Sequence, residues 1–448
     1  MDLSKVSHIY FIGIGGIGMS SLAQYFFHVG KHVAGYDKTP SPITKKLENL
    51  GIEITFNDSE NTIPSAYKNK ETSVVVYTPA IPKKHAQFNW FKANDFDVLK
   101  RAAMLGVVTK NSFCLAVAGT HGKTTTSAML GHIMTTAKTG ATAFLGGVSE
   151  NYNSNLILGA DKVSVVEADE FDRSFLQLSP NIACITSIDA DHLDIYGKHE
   201  ELEASFQDFS EKVLDALIVR KGLPFEGKTY GIEEKADYDA QNLIVENGTY
   251  KFDVQTADEI LKDVQLAMPG RHNVLNALAA LGMAHSYGVK LEVVREALAS
   301  FKGIQRRFTY VLNTENKVII DDYAHHPTAI NAIVDAVQEM YPDKKTLGVF
   351  QPHLYSRTKD FADDFAKSLS RFDELILLDI YPAREEPIFG VTSEWLLAKV
   401  EGENKQLVSK EILAQKVSES TAAVVVIIGA GDISELVQPI QEKVAHEN

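Results

Sequence analysis

The sequence predicts an α/β protein of three domains, and three observations carry that prediction. Its 448 residues, at roughly 150 per domain, suggest two to three domains, ample to bury several cores. Apolar β-branched runs alternate with helical patterns from end to end, the signature of parallel sheets joined by right-handed crossovers. Two glycine-rich turns each follow a strand pattern and open a helix pattern, which is where such folds hold phosphate groups.

The elements follow in order. A first Rossmann-like unit, residues 1–107, has strand patterns over 8–12, 32–36 and 74–78 and helical patterns over 17–29 and 43–50. Residues 9–30 carry no Lys, Arg, Asp or Glu and match a membrane span by length. Clustered glycines and then Ser20, Ser21 and Gln24 interrupt that stretch, and no basic n-region or cleavage site accompanies it. A cytoplasmic protein without stable membrane insertion is expected. A central unit, 108–304, has strands over 113–118, 163–168 and 182–188, a helix from Thr124, and a helix of small apolar residues from Met268 to about Ser286. After a polar joint at 301–307, a C-terminal unit, 305–448, repeats the alternation with strands over 318–320, 347–350, 375–378 and 424–428.

Composition narrows the function. With 44 Lys+Arg against 59 Asp+Glu the formal charge is −15, the wrong sign for a surface that tracks nucleic acid, so any anionic ligand must be held by local positive groups. Cys114 and Cys184 both fall in apolar strand patterns, which reads as buried spectators in a reducing compartment.

The first turn, Gly13-Ile-Gly15-Gly16-Ile-Gly18, lets backbone approach a diphosphate at a helix N-terminus, and Asp37 lies 19 residues further on, where a carboxylate reaches ribose hydroxyls. Read alone, this turn fits an NAD-dependent oxidoreductase, another nucleoside diphosphate or a purely structural glycine turn. The second, Val117-Ala-Gly119-Thr120-His121-Gly122-Lys123-Thr124-Thr125, is a P-loop variant in which Val117 stands where the first glycine is usual. Lys123 would meet the β/γ-phosphates and the Thr124 hydroxyl a Mg2+. Glu167, Asp169, Glu170 and Asp172 then cluster where a buried strand emerges, as a metal-ligating carboxylate does in nucleotide-hydrolysing folds; the alternative is a solvated acidic loop. Asp189, Asp191, His192 and Asp194 end the next strand and suit a second metal, or an ordinary loop histidine.

These motifs, with Gly270-Arg-His-Asn273 and Asn276, Arg306-Arg-Phe308, the run 321–328 and the run 351–358, resemble the Mur ligases over essentially the full length. The resemblance implies an N-terminal unit whose Gly13, Gly15, Gly16, Gly18 and Asp37 hold a UDP-sugar. It implies a central ATPase in which Gly119, Thr120, His121, Gly122, Lys123, Thr124, Thr125, Asn273, Asn276 and Arg307 bind ATP, with Thr124, Glu167 and His192 on Mg2+. In the C-terminal unit Tyr323, His325, His353 and Arg357 would bind the amino acid.

The implied reaction is ATP-dependent ligation of L-alanine to the carboxylate of UDP-N-acetylmuramate through an acyl phosphate, in peptidoglycan precursor synthesis. Lys123, Glu167, His192 and His325 would be its catalytic groups. His325 and Asp322 are the candidates for accepting the amine proton. The rival within the superfamily attaches a tripeptide to the same sugar acid. A monomer or homodimer with no nucleic-acid partner is expected. Four positions depart from the pattern: Leu354 for a basic residue, Ser187 and Asp189 for an Asn and a Glu, and Ala103 for a Glu.

Overall fold

The structure, a computed structural model, describes residues 3–160, 162–189, 199–246, 249–383 and 385–447. Three sheets organise the chain. The first is wholly parallel, in the order Glu53–Thr55, His32–Tyr36, His8–Ile12, Ser73–Tyr77, Asp97–Lys100. Its strand order reverses at His8–Ile12, and the crevice outside the carboxyl end of such a strand is where open α/β sheets bind ligands. The first glycine turn leaves the sheet there. The helix after it runs over Ile17–His28.

The second sheet has ten strands. At its centre Phe113–Ala118 lies between Ile182–Ile185 and Val163–Glu167, both parallel to it, with Val117 opposite Glu167 and Ala118 opposite Ile185. Beyond Val163–Glu167 come Thr142–Ser149 and Ser154–Ile157, which pair antiparallel with each other. On the opposite side the order runs through Ala216–Arg220, Lys228–Ile232, Tyr238–Glu246, Thr249–Gln255 and Ile260–Leu266. None of these peripheral strands was expected from apolar runs. Thr249–Gln255 and Ile260–Leu266 bury mainly one face, so polar and apolar residues mix along them and no continuous run forms. The expected strand 182–188 ends instead at Ile185, because Thr186 and Ser187 turn their hydroxyls onto the P-loop.

Six strands form the third sheet, in the order Thr309–Asn313, Val318–Asp322, Val424–Ile428, Thr346–Phe350, Glu374–Leu377, Lys405–Leu407; the first pair is antiparallel and the rest parallel. Alternate residues of its strands enter two cores, Ile320, Phe350 and Val426 on one face and Ile319, Val349 and Val425 on the other. A parallel sheet covered on both faces reads as continuous apolar runs, which is why these strands were legible.

The three sheets fold into two compact units: residues 1–243, 252–265 and 275–302 make one, and residues 244–251, 266–274 and 303–448 the other. The first unit carries the first sheet and most of the second because they share a core. Leu22, Phe26 and Val76 belong to the same buried cluster as Cys114, Phe144, Val166 and Phe209. Tyr25 meets Phe144 edge-on at 5.3 Å between ring centroids. Gln24 Nε2 donates to Asn155 Oδ1 at 2.9 Å, and Asn155 Nδ2 donates to Ile17 O at 2.6 Å and to Ser20 Oγ at 2.9 Å. Ser20 and Gln24, polar interruptions in the apolar stretch, thus dock this helix onto the second sheet. Buried polar groups that find partners specify one packing arrangement. No described helix is long and apolar enough to cross a membrane. Both cysteines are buried and free, and burial pushes the Cys114 thiol up to about 12.

Phe26→Ala, which empties a site 1% exposed in that shared core, is expected to cost about 3–5 kcal/mol. Denaturant unfolding followed by Trp90 fluorescence and by hydrogen exchange in strand Phe113–Ala118 should show both shifting together; a shift in the first sheet alone would mean separate cores.

Candidate active site

Local geometry explains both glycine turns. In the first, Gly13 has φ +87°, a left-handed conformation that favours glycine. The Gly15 amide donates to Asp37 Oδ2 at 2.7 Å and the Lys38 amide to Oδ1 at 2.8 Å. The sequence reading aims Asp37 at a ribose; in the structure its carboxylate pins the glycine turn to the end of strand His32–Tyr36.

In the P-loop, Gly122 has φ +82° and precedes the helix Lys123–Thr136. A Cβ on it would strike Asn276 Oδ1, which accepts from the Thr126 hydroxyl at 3.2 Å. Asn276 therefore packs on the loop. Asn273 donates through Nδ2 to Pro269 O at 2.6 Å. Ser187 and Asp189 brace the loop from the neighbouring strand end. Ser187 Oγ lies 2.9 Å from Thr120 Oγ1 and accepts from the His121 amide at 2.9 Å, while the Asp189 carboxylate is 3.2 Å from His121 Nε2. Their departure from the family pattern thus has a local role. Asp191, His192 and Asp194 lie outside the described residues.

Two carboxylates close on the loop. Lys123 Nζ donates to Gly119 O at 2.6 Å and lies 2.7 Å from Glu170 Oε2, and Glu170 is fully buried. Burial alone would push Lys123 toward its neutral form; Glu170, Asp169 and Glu167 outweigh that and hold its ammonium above the ordinary lysine value. The Thr124 hydroxyl reaches Glu167 Oε2 at 3.0 Å, and the Gly146 amide donates to the same oxygen at 3.0 Å. A Cβ on Gly146 would collide with this carboxylate, so a glycine here is what admits Glu167. A hydroxyl and a carboxylate meeting at a P-loop is a donor set that fits Mg2+. Among the described residues no three metal-ligating side chains cluster.

The first turn and the carboxylates that follow strand Val163–Glu167 share one cavity of about 270 Å3, whose lining includes Gly16, Gly18, Arg101, Gly146, Glu167 and Asp169. Sequence reasoning missed Arg101 and Gly146. The only signal for Arg101 was a basic residue between a strand and a helix, and for Gly146 a glycine in a strand, a place where another group approaches closely.

The C-terminal unit gathers the four expected amino-acid residues. The Tyr323 and His325 rings lie 5.4 Å apart and those of His325 and His353 6.0 Å, and His353 stacks on Tyr381 at 5.7 Å. Arg306 and Arg307 sit over the Tyr323 ring at 5.2 and 5.4 Å. Burial and then the nearby Arg357 charge drive the His325 imidazole well below its usual range, so it is neutral at pH 7. Arg357 lies on the short helix Tyr355–Asp360, whose Ser356 amide donates to Glu385 at 2.9 Å. Leu354 before it is 9% exposed with φ +71°. Asp322 accepts the amides of Phe308 at 2.7 Å and Ala324 at 2.8 Å. Those bonds make it a brace for the chain, and of the two proton-acceptor candidates they favour His325.

Comparison with known proteins agrees along the whole chain. Family models match in three blocks: the Mur ligase family catalytic domain over residues 8–112, the Mur ligase middle domain over 117–284, and the Mur ligase glutamate ligase domain over 306–433. UDP-N-acetylmuramate--L-alanine ligase of Flavobacterium psychrophilum is 56% identical over 445 residues, 99% of each chain. The protein of the same name from Christiangramia forsetii is 54% identical over 449 residues, 100% of this chain and 99% of its own. The crystal structure of UDP-N-acetylmuramate-alanine ligase MurC from Thermotoga maritima superposes with a TM-score of 0.85 at 29% identity, covering 98% of this chain and 100% of that one. A murein peptide ligase from Psychrobacter arcticus shares the fold at a TM-score of 0.70 and 23% identity, over 98% of each chain. Three ordered domain matches and full-length identity above one half, on a chain that pairs a P-loop with a second glycine turn, place this protein in the Mur ligase family.

Proposed function

We propose that this chain uses ATP and Mg2+ to join L-alanine to the carboxylate of UDP-N-acetylmuramate in the cytoplasm, a step of peptidoglycan precursor synthesis. The observation that carries the proposal is the single cavity reached by both the diphosphate turn and the Glu167 carboxylate, which suits a sugar-nucleotide acid presented to a transferring phosphoryl group. The names of the relatives at 54% and 56% identity supply the amino acid.

A carboxylate is a poor electrophile, so its oxygen first takes the γ-phosphoryl group of ATP. The amine of L-alanine then attacks the acyl carbon, and phosphate leaves. Lys123, kept protonated by its carboxylate neighbours, would follow the transferring phosphoryl group. Thr124 and Glu167 would hold Mg2+, with His192 as a third ligand; the ion's chemistry there is neutralisation of phosphate charge. Arg357 would take the L-alanine carboxylate through a bidentate fork. The neutral His325 imidazole would accept the proton lost by the amine. Phosphate release should require UDP-N-acetylmuramate and L-alanine together. Turnover with a tripeptide in place of L-alanine would favour the recycling reaction.

Lys123→Ala should lower kcat by about 10²- to 10³-fold, but it also strands the buried Glu170. The double variant Lys123→Met/Glu170→Gln leaves no unpaired buried charge, so it should keep a near-normal Tm and stay equally inactive. Recovery of turnover in the double variant would remove Lys123 from the phosphoryl step.

Gly146→Ala deletes no polar group yet drives a methyl into the Glu167 carboxylate. The Mg2+ concentration for half-maximal activity should rise on the order of 10-fold or more, as for lost support of a metal ligand. A Mg2+ titration that superposes on the wild type would mean that Glu167 is not a ligand.

Arg357→Gln should raise the L-alanine KM on the order of 10- to 100-fold. It also removes a charge that disfavours the His325 imidazolium, so the imidazole pKa moves up toward its ordinary value. A base works above its pKa, and the acid limb of the kcat profile should therefore shift to higher pH. An unmoved limb would assign the amine proton to another group.

A further inference from the structure

We propose that Arg101 is the cationic anchor for the diphosphate of the sugar nucleotide, and that it exchanges Asp169 for the phosphates when ligand enters. The inference rests on the sugar-nucleotide reading of the first turn. Sheet register sets the position of Arg101: Ile12 pairs with Tyr77 and Tyr77 with Lys100, so Gly13, Thr78 and Arg101 leave three neighbouring parallel strands at one level. Arg101 therefore lies on the rim of the crevice that the glycine turn opens.

Its guanidinium lies across Gly18. A Cβ on Gly18 would stand 2.9 Å from Arg101 Nη1 and 3.2 Å from Cζ, so the glycine leaves the face of the first helical turn open to this side chain. The charge distribution in the cavity gives Arg101 its role. Among its described lining residues are two carboxylates, Glu167 and Asp169, and Arg101 is the sole Lys or Arg. An anion entering there is repelled unless that guanidinium meets it. The adjacent Lys100 points to Asp172 at 2.6 Å.

The partner that Arg101 has in this structure is weakly held. One nitrogen, Nη2, lies 3.3 Å from Asp169 Oδ2, and the two side chains are 23% and 36% exposed. Partly exposed single-contact pairs contribute little, whereas a guanidinium fork on phosphate makes two parallel charge-assisted bonds. Exchange of Asp169 for a diphosphate is therefore favourable. It also leaves the Asp169 carboxylate uncompensated, close to Lys123 and the phosphoryl site.

Calorimetry on the full chain tests this with uridine, UDP, UDP-N-acetylglucosamine, which lacks the lactyl carboxylate, and UDP-N-acetylmuramate. Arg101→Gln should weaken the three diphosphates alike, on the order of 10- to 100-fold, and leave uridine unchanged. Arg101→Lys should recover part of the loss, and it carries the test if Arg101→Gln does not fold. Asp169→Asn should tighten UDP several-fold in the wild-type background and have no effect in Arg101→Gln. Unchanged UDP affinity in Arg101→Gln would overturn the inference. So would a loss confined to UDP-N-acetylmuramate, which would put Arg101 on the sugar carboxylate, or an equal loss for uridine, which would make its role structural. Failure of the wild type to bind any of the three diphosphates would instead overturn the proposed function.

Discussion

The backbone ladder that holds strand Phe113–Ala118 between its two parallel neighbours is the constraint on which the site depends. Its register places Glu167 opposite Val117, two residues before Gly119 of the P-loop, and Ile185 opposite Ala118. A parallel pair cannot slip by one residue without sending its buried set to the other face. Val165 and Val166 are fully buried on opposite faces of the sheet, and Glu167 emerges level with Thr124, whose hydroxyl it meets. The same ladder delivers Thr186 and Ser187 to the back of the loop. Packing of apolar strands thus determines the spacing of the polar groups around the P-loop.

Electrostatics in this acidic chain follows one pattern. Three cations are each held by a carboxylate of the chain itself: Lys123 by Glu170, Arg101 by Asp169, Arg306 by Asp321. Such pairing keeps side chains ordered and charged without a ligand. Burial raises the Asp321 carboxyl to about 6 even with Arg306 beside it, which marks how strongly a buried acid needs its partner. The pairs differ in burial. Lys123 and Glu170 are nearly sealed, whereas Arg101 and Asp169 are partly open, so the latter exchange more readily.

Much of this was legible in the sequence for physical reasons. The central strands are buried on both faces and read as apolar runs; the two turns need glycine where a Cβ would collide or φ is positive, and so they stand out. The acidic cluster after Val163–Glu167 and the four residues of the C-terminal site were legible through motif order. What escaped were features without local pattern. The hairpin Thr142–Ser149 and Ser154–Ile157 carries Gly146 and Asn155, whose partners Glu167 and Gln24 are distant in sequence. Arg101 owes its place to register between strands, and the bond of Asp37 to the Gly15 amide depends on how the turn closes.

The core shared by the first two sheets bears on how this chain exchanges parts with its relatives. The helix Ile17–His28 carries the first glycine turn at one end and docks on Asn155 along its flank, with Tyr25 packed on Phe144. A crossover placed at the link between the first and second sheets, where composition alone marks a boundary, would separate those partners. Exchange of the first glycine turn with a relative therefore has to carry the Thr142–Ile157 hairpin along with the first sheet, and the smallest transferable cassette is discontinuous in sequence.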